Sequence, residues 1–212
     1  IIEKKINKPN YSGTVAVRTQ VKNQDILNLD IKNISLIMGS NAHIVLYPTN
    51  QRGEINLVCI IRKKSEKQND IKTLLENTIL NENIDLANLF KGDVKSWLIY
   101  TSNKPTKSIY ENVLYIGDAF YAFLPTMAQG ASQAIESANE IFELIKDNKK
   151  DIRNAYFQKR IEKTNLINKR SKINYIGFHI ANPFLQILRN FFLKRLVKNN
   201  NFIQSYLGKI YK

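Results

Sequence analysis

The hydrophobic positions change period along the chain. Over residues 13–21, Val15, Val17, Thr19 and Val21 alternate with Ala16, Arg18 and Gln20. A period of two predicts a half-buried strand. HIVLY at 43–47 predicts a second strand, stopped by Pro48, which has no N–H for a ladder. Residues 50–53 (NQRG) predict a turn, and EINLVCII at 54–61 a third strand. Together they predict an antiparallel meander with one face on a core. The period then lengthens. Ile71, Leu74, Leu75 and Ile79 have helical spacing within 70–80, as do Ile84, Leu86, Leu89 and Phe90 within 84–90. SWLIY at 96–100 predicts a return to the sheet, and 103–108 a polar loop around Pro105.

A second region begins at Asn112. Residues 113–116 predict a short apolar strand that ends in Gly117-Asp118. After a loop with Pro125 and Gly130, a helix is predicted from Ala131 to about Lys146, burying Ile135, Ala138, Ile141, Phe142 and Ile145. Residues 151–171 read as helical and highly charged. From Pro183 to Lys198, Leu185, Leu188, Phe192 and Leu196 form a stripe, with Gln186, Arg189, Asn190, Lys194 and Lys198 elsewhere.

With 212 residues and 43% hydrophobic content, the chain can bury a real core. Its single cysteine, Cys59, excludes an internal disulfide framework and a thiolate zinc cluster. Between apolar neighbours it reads as a buried small hydrophobe. His179 has no partner at metal-ligand spacing, so no metal is expected. Trp97 reads as core. No run of 18 or more apolar residues is present, and no basic-then-apolar leader follows Ile1. The expected location is the cytoplasm, with membrane association left open.

The net charge of +14 is uneven. Residues 1–140 carry 16 basic and 14 acidic side chains, whereas 141–212 carry 16 and 4. Such an excess suits an anionic surface. No helix-turn-helix, zinc-finger or RNA-binding signature accompanies it, so nucleic acid is not the expected partner. The stretch from Pro183 to Lys198 has two readings. It packs on its own domain, or it lies on an anionic bilayer with Phe191, Phe192 and Leu196 inserted and Arg189, Lys194, Arg195 and Lys198 at the head groups.

Residues 113–146, VLYIGDAFYAFLPTMAQGASQAIESANEIFELIK, hold the most chemistry. A carboxylate just beyond a strand's carboxyl end lies where ligands sit in helix-flanked sheets. Gly117 lets the chain turn and a ligand approach closely. Asp118 can accept two hydroxyl hydrogen bonds, as holding a polyol requires. Gln129-Gly130-Ala131 opens a long helix whose free N–H groups favour a negative charge. Either feature alone is commonly a plain turn or cap. Both within one short window point to a ligand.

GDAFYAFLPTMAQGASQAIESA resembles the second FAD-binding motif of flavin-dependent aromatic-ring monooxygenases, roughly Gly-Asp-Ala-Ala-His, then Pro, Gly-Gln-Gly-Ala and Glu-Asp-Ala. YSGTVAVR and HIVLYPTNQRGEINLV are similar to a strand and a hairpin of the salicylate-hydroxylase-like branch of the para-hydroxybenzoate hydroxylase fold family. The resemblance runs over about residues 10–190. Phe120, Tyr121, Ala128, Ser137 and Val17 depart from the pattern, and no Gly-x-Gly-x-x-Gly occurs. The chain therefore resembles the C-terminal portion, with an N-terminal FAD-binding half as a missing partner.

The resemblance implies an α+β fold. Residues 1–110 would form a mainly antiparallel substrate sheet with helices. Residues 111–150 would supply the terminal strand–loop–helix of a Rossmann-like FAD domain, and 151–212 a basic helical region. Gly117 and Asp118 would hold the ribityl chain of FAD. Pro125, Gln129, Gly130 and Ala131 would pass along its ring. NAD(P)H would be the reductant, O2 the oxygen donor and a small aromatic molecule the substrate, lying against the sheet of residues 13–61. His43 and Tyr47 share one strand face. His43 would deprotonate a phenol and Tyr47 orient it, or the two are a surface histidine and a core tyrosine. Arg18 would bind a substrate carboxylate, or it faces water. Epoxidation or dehydrogenation on the same fold, and a stand-alone basic module binding membrane or nucleic acid without catalysis, are the alternatives. As an isolated chain the fragment is expected to have little activity.

Overall fold

A computed structural model of the chain describes residues 8–22, 33–49, 53–66, 71–81, 87–90 and 92–211. Residues 50–52 of the expected turn, Asp70, and residues 84–86 of the second expected helix lie outside them. The chain divides into two compact units. One includes Gly13–Ile99 and Ile176–Arg189, the other Tyr100–Tyr175 and Asn190–Lys212.

The first unit is built on a sheet. Its strands are β1 (Asn10–Lys22), β2 (Ser35–Met38), β3 (Ala42–Thr49), β4 (Glu54–Arg62) and β5 (Lys95–Thr101), in the order β2-β3-β4-β1-β5. β1 pairs antiparallel with β4, β3 with β4, and β2 with β3. The expected meander is present. β2 is an additional strand that four residues of apolar sequence did not announce. Pro48 does not stop β3, because it stands opposite Ile55 while β2 ends at Ser35, opposite Leu46. Its missing N–H therefore faces an edge that has no ladder to lose.

Val15, Val17, Ala42, Ile44, Leu46, Ile55, Leu57, Cys59 and Ile61 form one buried face. Leu75 of helix α1 (Ile71–Asn81) and Phe90 of a 3-10 turn (Ala87–Phe90) cover it. Burial raises the Cys59 thiol to about 12, which makes it inert as a nucleophile. Trp97 on β5 is half exposed and does not join this core; its neighbour Leu98 packs there instead, and successive strand residues point to opposite faces.

The second unit is helical. Residues 113–116 form no strand, although Ile116 is extended at φ −124°, ψ 161°. Extended backbone becomes a strand only when a neighbour completes the ladder, and no described residue does so. Tyr156 instead donates to the Tyr115 carbonyl at 2.8 Å. Helix α2 (Gly117–Phe120) follows at once, then a 3-10 turn (Pro125–Met127), α3 (Gly130–Lys146) and α4 (Ile152–Phe178). Helices α5 (Pro183–Leu196), α6 (Asn200–Tyr206) and α7 (Gly208–Tyr211) end the chain.

The expected inner face of α3 is reversed. Ile135 is 73% and Phe142 60% exposed, Ala138 and Ile145 are also exposed, and Ile141 is half-buried. The buried stripe is Gln133, Ser137 and Glu140. Gln133 and Glu140 turn inward because α4 offers them Arg160, and Ser137 donates to the Gln133 carbonyl. Helix α5 has no buried residue; of its stripe, Leu185, Leu188 and Phe192 are exposed and Leu196 is half-buried.

Candidate functional site

Gly117 and α3 form the first constellation. Gly117 has φ +55°, and a Cβ there would lie 2.9 Å from the Cβ of Ala134 on α3. Only glycine meets both demands, the left-handed turn and the close approach. The contact seats α2 against the start of α3. Asp118 is thereby brought to the helix N-terminus, where a Cβ on Gly130 would sit 3.9 Å from Asp118 Oδ1. Asp118, Pro125, Gly130 and Ala131 are all exposed, whereas Gln129 is buried.

No side chain caps α3, and Gln129 at its N-cap position has helical backbone angles. The first helical N–H groups have no acceptor inside the helix. Ala128, left-handed at φ 52°, turns the chain from the 3-10 turn into α3. An exposed carboxylate thus stands beside an open, uncapped helix end. The pair offers acceptors for hydroxyl groups and donors for a delocalised negative charge. These residues fit a cofactor that carries a polyol chain and an electron-accepting ring. The structure brings Gly117, Asp118 and Gly130, all singled out in the sequence, to the start of α3. The Ala134 contact that enforces it was not readable from spacing.

The second constellation lies on the sheet face opposite the core. Register places Arg18 opposite Val58, and Val58 opposite Val45. Tyr47 stands opposite Asn56, and His43 opposite Ile60. Arg18, His43 and Tyr47 therefore share one face. Arg18 is exposed, and Val45, Tyr47 and Val58 are half-buried. The Arg18 Nε donates to Asn56 Oδ1. Asn56 is fully buried, and its Nδ2 has no hydrogen-bond partner. The sequence reading did not single out Asn56. The only available signal was a polar residue inside an otherwise apolar strand.

His43 is not the group that the sequence reading expected. It is 2% exposed, and its Nδ1 lies 3.1 Å from Nε2 of His179, which follows α4. The Phe178 ring closes over it at 5.2 Å. Burial, and then repulsion from His179, lower its pKa from 6.5 to about 3. Burial and the His179 contact thus disfavour a proton on His43, in contrast to the expectation of a base titrating near neutrality. Nor is it a surface histidine. Its partner lies 136 residues away in sequence, beyond the reach of any local pattern. No group of three or more His, Cys, Asp or Glu among the described residues is arranged to hold a metal.

No family model and no curated protein matches the chain. Solved structures do. The chain is similar to HpxO from Klebsiella pneumoniae, complexed with FAD and uric acid, with a TM-score of 0.74 at 13% identity. That match covers 97% of this chain and 54% of HpxO. A salicylate hydroxylase substrate complex matches at TM-score 0.69 and 18% identity, covering 95% of this chain and 56% of the other. CtdE in complex with FAD and a substrate matches at TM-score 0.67 and 14% identity, covering 82% and 49%. The fold is that of the C-terminal part of FAD-dependent monooxygenases. The chain spans about half the length of the solved proteins it resembles.

Proposed function

We propose that this chain is the C-terminal part of a flavoprotein monooxygenase that hydroxylates an aromatic substrate with FAD, NAD(P)H and O2, and that an N-terminal FAD-binding half completes it. The observation that carries the reading is the seating of Asp118 beside the open end of α3, enforced by Gly117 against Ala134. Asp118 would accept hydroxyl hydrogen bonds from the ribityl chain. The N–H groups of Gly130 and Ala131 would face the electron-rich edge of the ring, with Pro125 and Gln129 on the same loop. Bound there, FAD would supply the electron transfer that lets one atom of O2 enter the aromatic ring while the other leaves as water.

Arg18 and Tyr47 would hold the substrate's polar substituents, with Val45 and Val58 under its ring. His43, neutral and paired, has no proton-transfer role in this reading. The exposed stripe Ile135, Phe142 and Ile145 supports an absent packing partner, because a water-facing helix normally carries polar residues there. Epoxidation and dehydrogenation share the cofactor site, and product analysis on the completed enzyme separates them from hydroxylation.

The test begins with the coding sequence upstream of Ile1. An in-frame strand, Gly-x-Gly-x-x-Gly and helix is expected. In the completed protein, Asp118→Ala is expected to weaken FAD binding about tenfold or more, the effect of losing charged hydrogen bonds. No such unit upstream or nearby, or unchanged FAD affinity in Asp118→Ala, would overturn the reading.

Helix α5 favours a second property, contact with an anionic lipid surface. Two of its polar residues bond back to the chain. Gln186 Nε2 donates to the Ile180 carbonyl at 2.8 Å, and an Arg189 Nη1 to that of Gly177 at 3.0 Å. Its apolar residues point outward, with Phe184 72% and Ile187 70% exposed. Arg195 lies over the Phe191 ring at 4.4 Å, so cations border the apolar side. Sedimentation with anionic vesicles is expected to carry the protein down at low salt and release it at high salt. No binding at low salt would remove this property and leave the flavin reading intact.

A further inference from the structure

We propose that Arg160 is the positioning residue of the Pro125–Ala131 loop, acting on it through Gln133 and Gln129. The inference rests on the flavin reading for its consequence but on local geometry for its mechanism. Arg160 stands on α4 and is 1% exposed. Its Nη1 lies 3.4 Å from Glu140 and 3.6 Å from Glu136, both on α3. Its Nη2 donates to Gln133 Oε1 at 2.7 Å and to the Gln133 carbonyl at 3.5 Å.

A guanidinium has donors and no acceptor. Gln133 must therefore turn its oxygen toward Arg160 and its NH2 away. That NH2 donates to Gln129 Oε1 at 3.2 Å. Gln129 is thereby forced to accept with its oxygen, and its own NH2 points to the Met127 carbonyl, at 3.5 Å. One fixed cation thus sets the orientation of two buried amides in turn. The last of them closes on the 3-10 turn that holds Ala128 in its left-handed conformation.

Helix α4 grips the same loop from its other end. Thr126 Oγ1 donates to the Ser171 carbonyl at 2.7 Å, and Asn174 Nδ2 donates to the Thr126 carbonyl at 3.4 Å. The polar stripe on α3 is explained by this arrangement. Gln133 and Glu140 face inward because they carry and anchor the relay. Buried ion pairs are costly, and apolar packing of equal volume is commonly as stable. Arg160 Nε and Nη1 also lack hydrogen-bond partners. A cation that is imperfectly paired yet buried this deeply is accounted for by what it orients.

The test uses the protein joined to its FAD-binding half, with 15N-labelled glutamine. Arg160→Met would leave the buried Glu140 without its cation while Glu136 keeps Lys163, and loss of fold would obscure the result. Gln133→Met is neutral and similar in shape, and it cuts the relay while leaving the ion cluster. Arg160→Lys keeps the charge but lacks the planar fork. Both variants are expected to speed exchange of the Gln129 side-chain NH2 about tenfold or more, to shift the flavin absorption band, and to weaken FAD about tenfold, with secondary structure retained. Unchanged Gln129 exchange in either variant would overturn the relay. If the unmodified protein takes up no FAD, the flavin reading fails while the exchange measurement still decides the relay.

Discussion

Gly117 and His43 show how much one position can impose. Gly117 is asked for a left-handed backbone and for room against Ala134. Gly13 has φ +74° but nothing within 4 Å of the Cβ position. Gly13→Ala is therefore expected to cost about 1–2 kcal/mol of backbone strain alone. Gly117→Ala adds overpacking, for a total of about 2–4 kcal/mol. Denaturant midpoints of the two variants check this, and equal losses would show that the α2–α3 contact is loose. His43 makes a pH-dependent prediction. Its folded pKa of about 3 lies below the ordinary 6.5. Between those values the unfolded imidazole binds a proton that the folded one refuses, so this contribution is complete above pH 6.5 and is lost as pH falls toward 3. The slope is at most about 1.4 kcal/mol per pH unit. His43→Gln, which cannot titrate, should lose stability relative to the native protein at pH 7, and the gap should narrow toward pH 4. A constant gap would mean that the folded imidazole takes up its proton as readily as the unfolded one.

At the scale of elements, periodicity was a good guide wherever the chain's own atoms complete the packing. The alternation of β1, β3 and β4 returned the core face of the sheet because both faces of each pair lie in this chain. It misled at 113–116 and on α3. A strand needs a neighbour that no local pattern can supply, and an apolar stripe states that something covers it, not what. On α3 the stripe Ile135, Phe142 and Ile145 faces solvent, and polar residues face α4. The Gly-Asp and Gln-Gly-Ala pair was legible because turn and cap chemistry is local. Arg160, Asn56 and the His43–His179 pair were not, because each depends on a contact between distant segments. The uncovered stripe gives its own test. Ile135→Glu should change the stability of this chain by no more than about 0.5 kcal/mol, as at an ordinary surface site. It should at the same time weaken association with a separately expressed FAD-binding half. A loss above about 1 kcal/mol in the chain alone would mean that the residue is already packed.

Across the whole molecule, the two units are stabilised by different means. The sheet unit has a continuous apolar core, from Val15 and Val17 through Ile44, Leu46, Leu57 and Ile61 to Leu75 and Phe90. The helical unit buries Phe120, Tyr121 and Tyr156 together, with Ile141, Leu144 and Phe157 packed against them, and it also buries Ile167 and Ile210. Polar contacts carry a larger share there: Arg160 with Glu136 and Glu140, Thr126 with Ser171, and Asn174 accepting from the Tyr206 hydroxyl at 2.9 Å. Apolar burial of about 25 cal/mol per Å² accumulates with area, whereas a typical protein hydrogen bond adds about 1 kcal/mol net. The concentration of 16 basic against 4 acidic residues in 141–212 adds self-repulsion to the helical side. The two units should therefore not open with the same free energy. Native-state hydrogen exchange is expected to leave amides of Ile44, Leu46 and Leu57 protected longest, while those of α3 and α4 exchange first. Raising the salt concentration should protect α4 more than β3 and β4, because screening relieves repulsion among its cations. Saturating the proposed FAD-binding half should then slow exchange selectively at the start of α3, by mass action on the form that binds. If α3 outlasts β3 and β4 in the isolated chain, the helical unit has a stabilising core of its own and the argument for an absent covering partner loses its basis.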